Sequence, residues 1–118
     1  MNKKISFEGI GELVATFYAG EGVKMGETVK VSGDSTVGPC AAGEKFCGVA
    51  ATEPRGGCVG VQVDGMAQVK CADGSVTVGY VNLTSDGNGG VKAAGSGDKG
   101  SEYLVVADDG AGIITIKM

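Results

Sequence analysis

The chain has no histidine and no tryptophan. Without imidazole, a serine or cysteine nucleophile lacks its commonest base, and the commonest neutral metal ligand is missing too. Aromatic residues are only 5% of the sequence, so a stacking platform for single-stranded nucleic acid or sugars is poorly supplied. Basic residues are also in deficit. The net charge of −4 and the pI near 4.7 count against a nucleic-acid partner, because neutralising phosphates requires a basic face. No apolar run approaches the roughly 18 residues that span a bilayer, so no membrane association is expected. Met1-Asn2-Lys3-Lys4 resembles the charged start of a secretory leader, but Glu8 and Glu12 interrupt what would have to follow. Synthesis and folding in the cytoplasm are therefore expected.

Proline is scarce, with 2 residues, whereas glycine is abundant, with 23. Without a collagen-like period, this balance points to many tight turns and bulges. Valine dominates the hydrophobic 42%, and β-branched residues favour strands. A length of 118 residues fits one domain. Residues 1–10 read as an N-terminal arm or frayed strand, and residues 11–118 as a single β-rich domain.

The pattern is clearest in residues 58–71, CVGVQVDGMAQVKC. Val59, Val61 and Val63 alternate with Gly60, Gln62 and Asp64. After Asp64-Gly65, Met66, Gln68 and Lys70 alternate with Ala67, Val69 and Cys71. Period-two alternation marks half-buried strands, and Asp-Gly tolerates the positive φ of a tight turn. The stretch therefore predicts an antiparallel hairpin, with a short bulge allowed.

Around it, strands are predicted in VKMGETVKVS (23–32), KFCGVAA (45–51), VTVGYVNLT (76–84), EYLVVAD (102–108) and IITIKM (113–118). Residues 11–20 read as a strand or a single helical turn, and Val37 as a short extended piece. KFCGVAA reads as buried throughout, and the last strand as an inner one. Turn signals at 33–34, 52–57, 72–75, 85–90 and 109–112 separate these runs, and the Gly-Ser-rich residues 94–101 read as a flexible surface loop. The expected fold is all-β: a small single-domain β-barrel or sandwich of about nine or ten short, mostly antiparallel strands.

Few residues invite a chemical reading. Gly95 and Gly100 have the glycine spacing of a phosphate loop, but Ser101-Glu102 stands where Lys-Ser/Thr is required. Asp108-Asp109 and Asp86-Gly87-Asn88-Gly89 read as turns, the latter lacking the further carboxylates of a calcium loop. Glu53 and Arg55 read as a solvated loop pair. Cys40, Cys47, Cys58 and Cys71 are separated by six, ten and twelve residues, with no C-x-x-C. Buried free thiols, disulfides in any of three connectivities and a four-thiolate metal site all remain open at this point. No cofactor is expected.

The order of four phrases carries a resemblance: GETVKVSGDSTVGPCAAGEKFCGVA (26–50), GGCVGVQVDGMAQV (56–69), VGYVNLTSDGNGGVK (78–92) and YLVVADDGAGIITIKM (103–118). Together they resemble the small glycine- and valine-rich capsid decoration, or cement, proteins of tailed bacteriophages and prophages, over residues 20–118. The resemblance implies a non-enzymatic virion protein, made in the bacterial host cytoplasm. It would bind the outer surface of the phage head as a homo-trimer and brace the major capsid protein. Lys3, Lys4, Ile5 and Phe7 are then the candidate capsid contacts. The rival readings are a β-barrel module for a small ligand or glycan, another tail- or head-associated structural protein, and a small enzyme.

Overall fold

The valine alternation produces strands throughout the computed structural model, which describes residues 10–118. Ten strands are present: β1 (Leu13–Ala19), β2 (Thr28–Gly33), β3 (Thr36–Pro39), β4 (Gly48–Ala50), β5 (Cys58–Asp64), β6 (Met66–Lys70), β7 (Gly79–Ser85), β8 (Val91–Ala93), β9 (Ser101–Asp108) and β10 (Ile113–Lys117). They form a closed five-stranded barrel, in the order β1-β3-β2-β4-β5, and a five-stranded sheet, in the order β6-β10-β9-β7-β8. Among the described residues only the short β1–β3 contact is parallel. The fold is thus all-β, as expected. Residues 11–20 resolve to a strand, and β10 is an inner strand between β6 and β9.

The expected central hairpin is not formed. β5 pairs with β1 and β4, whereas β6 pairs with β10. Asp64-Gly65 is instead a corner that carries the chain out of the barrel and into the second sheet. Gly65 takes φ 91°, which only glycine adopts without strain. The Asp64 carboxylate accepts the Gly65 amide at 2.8 Å. Buried Gln62 spans the bend, its Nε2 donating to the Asp64 carbonyl at 3.1 Å and to the Met66 carbonyl at 2.8 Å. Side-chain alternation is the same in a hairpin and in a bent continuous run, so periodicity alone does not distinguish them.

Each half of that run feeds its own core. Val59 and Val61 pack inside the barrel with Val23, Val29, Val37 and Ala50. Ala67, Val69 and Cys71 pack in the second core with Leu83, Val105, Ile114 and Ile116. β4 divides the two, sending Val49 to the second core and Ala50 to the barrel. A Cβ on Gly48 would lie 2.4 Å from the Gln62 carbonyl oxygen, so β4 approaches β5 too closely for any side chain there. Phe46 stacks on Tyr103, with ring centroids 5.0 Å apart.

Three local expectations are corrected. KFCGVAA is a strand only over Gly48–Ala50, and Lys45 and Cys47 are exposed because the preceding residues approach the strand as a loop. Residues 94–101 are tethered rather than loose. The Lys99 amide donates to the Gly43 carbonyl at 2.9 Å, and Thr84 Oγ1 donates to the Lys99 carbonyl at 2.6 Å. Thr28, whose hydroxyl and alternation with Val29 and Val31 place it on the polar face of the strand predicted over 23–32, is buried because the 85–90 turn covers it. Its hydroxyl lies 3.2 Å from Ser85 Oγ, and its amide donates to the Gly89 carbonyl at 3.0 Å.

Val61 is fully buried. Val61→Asp is expected to cost about 3–5 kcal/mol, the scale of an uncompensated buried charge. Lys99→Ala keeps the backbone tethers and should stay within about 0.5 kcal/mol. Urea melts followed by circular dichroism test both, and a native-like melt for Val61→Asp would contradict the assigned face. The corner is tested by comparing two glycines of similar φ. At Gly65 a Cβ would meet the Gly11 carbonyl oxygen at 2.5 Å, while at Gly26 (φ 85°) nothing lies within 4 Å. Gly26→Ala should cost about 1 kcal/mol from backbone strain alone. Gly65→Ala should cost clearly more, and equal melts would show that the 10–12 segment yields freely.

Candidate functional site

Aspartate side chains are occupied in shaping turns. Asp86 Oδ1 accepts the amides of Asn88 (2.7 Å) and Gly90 (3.0 Å). Asp108 Oδ1 accepts Gly110 N at 2.8 Å, and Asp109 Oδ1 accepts Ala111 N at 2.6 Å and Ile113 N at 3.1 Å. Asp98 does the same for Gly95 at 2.8 Å. Asp73 accepts the Ser75 hydroxyl at 2.6 Å, the Ser75 amide at 2.9 Å and, across to β8, the Ala93 amide at 3.1 Å. These donors, Ser75 first, hold its carboxyl below the usual carboxylate range. The turn readings of 86–89 and 108–109 therefore hold, and the side chains are committed to backbone amides.

Glu44 combines an ion pair with a backbone hydrogen bond. Its Oε1 accepts Lys30 Nζ and the Ala41 amide, each at 2.7 Å, and its Oε2 also faces Lys30 Nζ at 2.7 Å. Lys30 and then the Ala41 amide hold its pKa below the ordinary value. A depressed carboxylate adds stability above its unfolded pKa and loses it as pH falls through the lower folded pKa. Glu44→Gln should therefore lower Tm at pH 7. The difference from the parent should narrow as pH drops through and below the ordinary carboxylate range. Thermal melts at stepped pH check this, and a pH-independent gap would assign the loss to geometry alone.

All four cysteines are free thiols. Cys40 and Cys71 are buried, Cys58 is half-buried and Cys47 is exposed. Burial pushes the Cys40 thiol up, with the Ser85 and Thr28 hydroxyls opposing, and burial likewise raises Cys71. Neither is a thiolate nucleophile at neutral pH. Among the described residues no group of three or more Cys, Asp or Glu side chains converges as a metal site.

The feature that stands out is apolar and lies on the outside of the barrel. Val14, Tyr18 and Met25 are exposed by 41%, 61% and 54%. Val14, Thr16 and Tyr18 line the outward face of β1, opposite Gln62, Gly60 and Cys58 of β5. A shallow groove of about 660 Å³ runs between Val14, Thr16, Met25, Thr52 and Cys58, with Glu53 and Arg55 also lining it. A second depression, of about 310 Å³, continues from Thr16 and Cys58 to Tyr18 and Ser35. Scattered surface apolar residues are ordinary, but contiguous ones mark an interaction surface. The face gains accessibility from Gly60, where a Cβ would meet Val14 Cγ1 at 3.1 Å.

The adjoining strand edge is also open. β1 touches β3 only at Tyr18 and Ala19. The Tyr18 amide reaches the Ser35 carbonyl and the Ala19 amide reaches the Gly57 carbonyl, each at 2.8 Å, so even-numbered residues of β1 face away from β5. Among the described residues, no strand therefore pairs with the backbone edge of Val14 and Thr16. An open edge beside an apolar face can accept an added extended chain.

Lys3, Lys4, Ile5 and Phe7 lie outside the described residues. The sequence reading missed Val14, Tyr18 and Met25. Alternation separated the two faces of β1 but carried no sign of which face would remain uncovered. Glu53 and Arg55, read as a solvated loop pair, are exposed between β4 and β5 and also line the groove; no salt bridge joins them among the described residues. The chain matches no protein-family model and no curated protein.

Proposed function

We propose that this chain is a non-enzymatic structural virion protein that binds the outer surface of a tailed-phage head and stabilises the shell. The observation that carries the reading is the exposure of Val14, Tyr18 and Met25 along two adjoining grooves beside the open edge of β1. A bracing protein needs rigid sheets and a contact face, and the commitment of aspartates to turns suits that role. The partner is the major capsid protein, contacted by a homo-trimer. The arm residues Lys3, Lys4, Ile5 and Phe7 stand as further candidate contacts. Stabilisation would follow mass action, since a ligand that binds only the assembled lattice favours it. Bridging several subunits would add avidity.

The groove near Met25 and Arg55 favours a second reading, a β-barrel module for a small ligand or glycan. One experiment separates the two. Purified protein is co-sedimented with cognate expanded heads stripped of their decoration, and the heads are then melted. Saturable binding and a higher head-melting temperature are expected. Tyr18→Asp, at an exposed site, should keep the fold and weaken binding at least about tenfold, the loss of about 1.4 kcal/mol of contact energy. No binding by the folded parent would remove the decoration reading and leave the ligand module.

A further inference from the structure

The turn from β7 to β8 holds Asn88-Gly89, the only Asn-Gly pair in the sequence. An asparagine followed by glycine can cyclise, because no side chain on the next residue hinders attack of its backbone nitrogen on the asparagine carboxamide. Folding slows the reaction where the carboxamide is packed or the nitrogen is hydrogen-bonded, since either must first open locally. Neither protection is present here. Asn88 is exposed. The Asp86 carboxylate accepts the amides on either side, those of Asn88 at 2.7 Å and Gly90 at 3.0 Å, and skips the one between. Among the described residues the Gly89 amide has no acceptor and the Asn88 side chain has no partner. Asn82 is the internal contrast. It lies within β7, opposite Glu102, and the residue after it is fully buried Leu83.

The same turn joins the barrel to the second sheet. The Gly89 carbonyl accepts the Thr28 amide at 3.0 Å, and the Asp86 amide closes the loop on the Gly90 carbonyl at 3.1 Å. There is no slack around these bonds. A Cβ would lie 2.5 Å from Glu27 Oε2 at Gly89, 2.5 Å from the Lys70 carbonyl oxygen at Gly90 and 3.0 Å from the Ala42 nitrogen at Gly87. The charged groups around the turn are Asp86, Glu27 and Lys70, the last with its Nζ 3.8 Å from Glu27.

We propose that Asn88-Gly89 is a self-modification site whose isoaspartate product loosens this seam. The Gly89 nitrogen loses its proton and attacks Asn88 Cγ. The bond from Cγ to the side-chain nitrogen breaks, and that nitrogen leaves with the proton as ammonia. The product is a five-membered succinimide ring. Water then opens the ring. Opening at Cγ gives aspartate. Opening at the main-chain carbonyl gives isoaspartate, whose backbone runs through Cβ and Cγ. The sum converts an amide and water into a carboxylic acid and ammonia, with no oxidant or reductant. Both products add a negative charge close to Asp86 and Glu27, but only isoaspartate lengthens the main chain. Packing at Gly87, Gly89 and Gly90 leaves the extra carbon no inward room, so the strain falls on the bond between Thr28 and Gly89. The inference does not depend on the virion reading.

The test ages the full folded chain at mildly alkaline pH, beside the same chain unfolded in urea and the variant Asn88→Gln, whose longer side chain closes a ring poorly. Peptide mapping by tandem mass spectrometry is expected to find acid in place of amide at Asn88, with isoaspartate present, at a rate within about tenfold of the unfolded chain's. Asn82 of the folded chain and position 88 of the variant should stay unmodified. A folded Asn88 that persists while the unfolded chain converts would overturn the site, and conversion to aspartate alone would overturn the isoaspartate product. The isoaspartate fraction, separated by chromatography, is then compared by NMR with fresh protein and with Asn88→Asp. Its Thr28 amide is expected to exchange at least about tenfold faster than in either. Unchanged Thr28 exchange, or the same acceleration in Asn88→Asp, would refute the loosening by a lengthened backbone.

Discussion

The structure depends on one bend in one continuous run of chain. β5 and β6 are separated by Gly65 alone, yet they belong to different sheets. What makes the bend tolerable is that its backbone groups find partners. Gln62 bridges the carbonyls on either side, Asp64 caps the Gly65 amide, Met118 caps the Gly65 carbonyl and Ile10 receives the Met66 amide. Burying this polar backbone without partners would cost roughly 1–3 kcal/mol per group. The corner therefore collects both ends of the described chain and both sheets at one residue. A side chain at position 65 would press on the same Gly11 backbone that brings the N-terminal segment in.

A second seam fixes how the two sheets sit. Thr28 of the barrel meets Ser85 of the second sheet, and its amide bonds to the Gly89 carbonyl. The Ser85 amide bonds to the Glu44 carbonyl, the Gly43 amide bonds to the Ser85 carbonyl, and Thr84 Oγ1 donates to the Lys99 carbonyl at 2.6 Å with the Glu44 carbonyl 3.1 Å away. Among the described residues no buried side-chain nitrogen or oxygen lacks a partner. A fully satisfied polar network of this kind defines one arrangement, because a slipped one would leave donors dry. Valine faces alone, being much alike, would not select a single docking angle.

This division explains what was legible in the sequence. Strand positions and turns were readable because period-two valines and Asp-Gly or Asp-x-Gly pairs act locally: Asp86, Asp108 and Asp109 cap the turns their spacing suggested. Pairing was not readable. Val59-Val61-Val63 and Ala67-Val69-Cys71 alternate identically whether Gly65 closes a hairpin or opens a corner. The decisive contacts, from Gln62, Ile10 and Met118, come from side-chain reach and distant chain. Burial of Thr28 was hidden for the same reason, since its partner lies 57 residues away. The exposed face of β1 was invisible too, because Val14 and Tyr18 look like core residues until the neighbouring strands are placed.

A valine-rich sheet protein has to protect its edges or use them. Barrel closure covers the edges of β2, β4 and β5. Glycine contact covers the Lys70 end of β6, and Ile10 covers its Met66 end. Among the described residues the Val14–Thr16 half of β1 has neither kind of cover, and a groove of about 660 Å³ runs beside it. Such an edge on a freely diffusing chain invites association, whereas on a repetitive surface the same association becomes site-specific. Charge at the rim, from Glu53 and Arg55, penalises a wholly apolar partner there. A partner specific for this face would have to match the open backbone edge, the apolar stripe and the rim charges together.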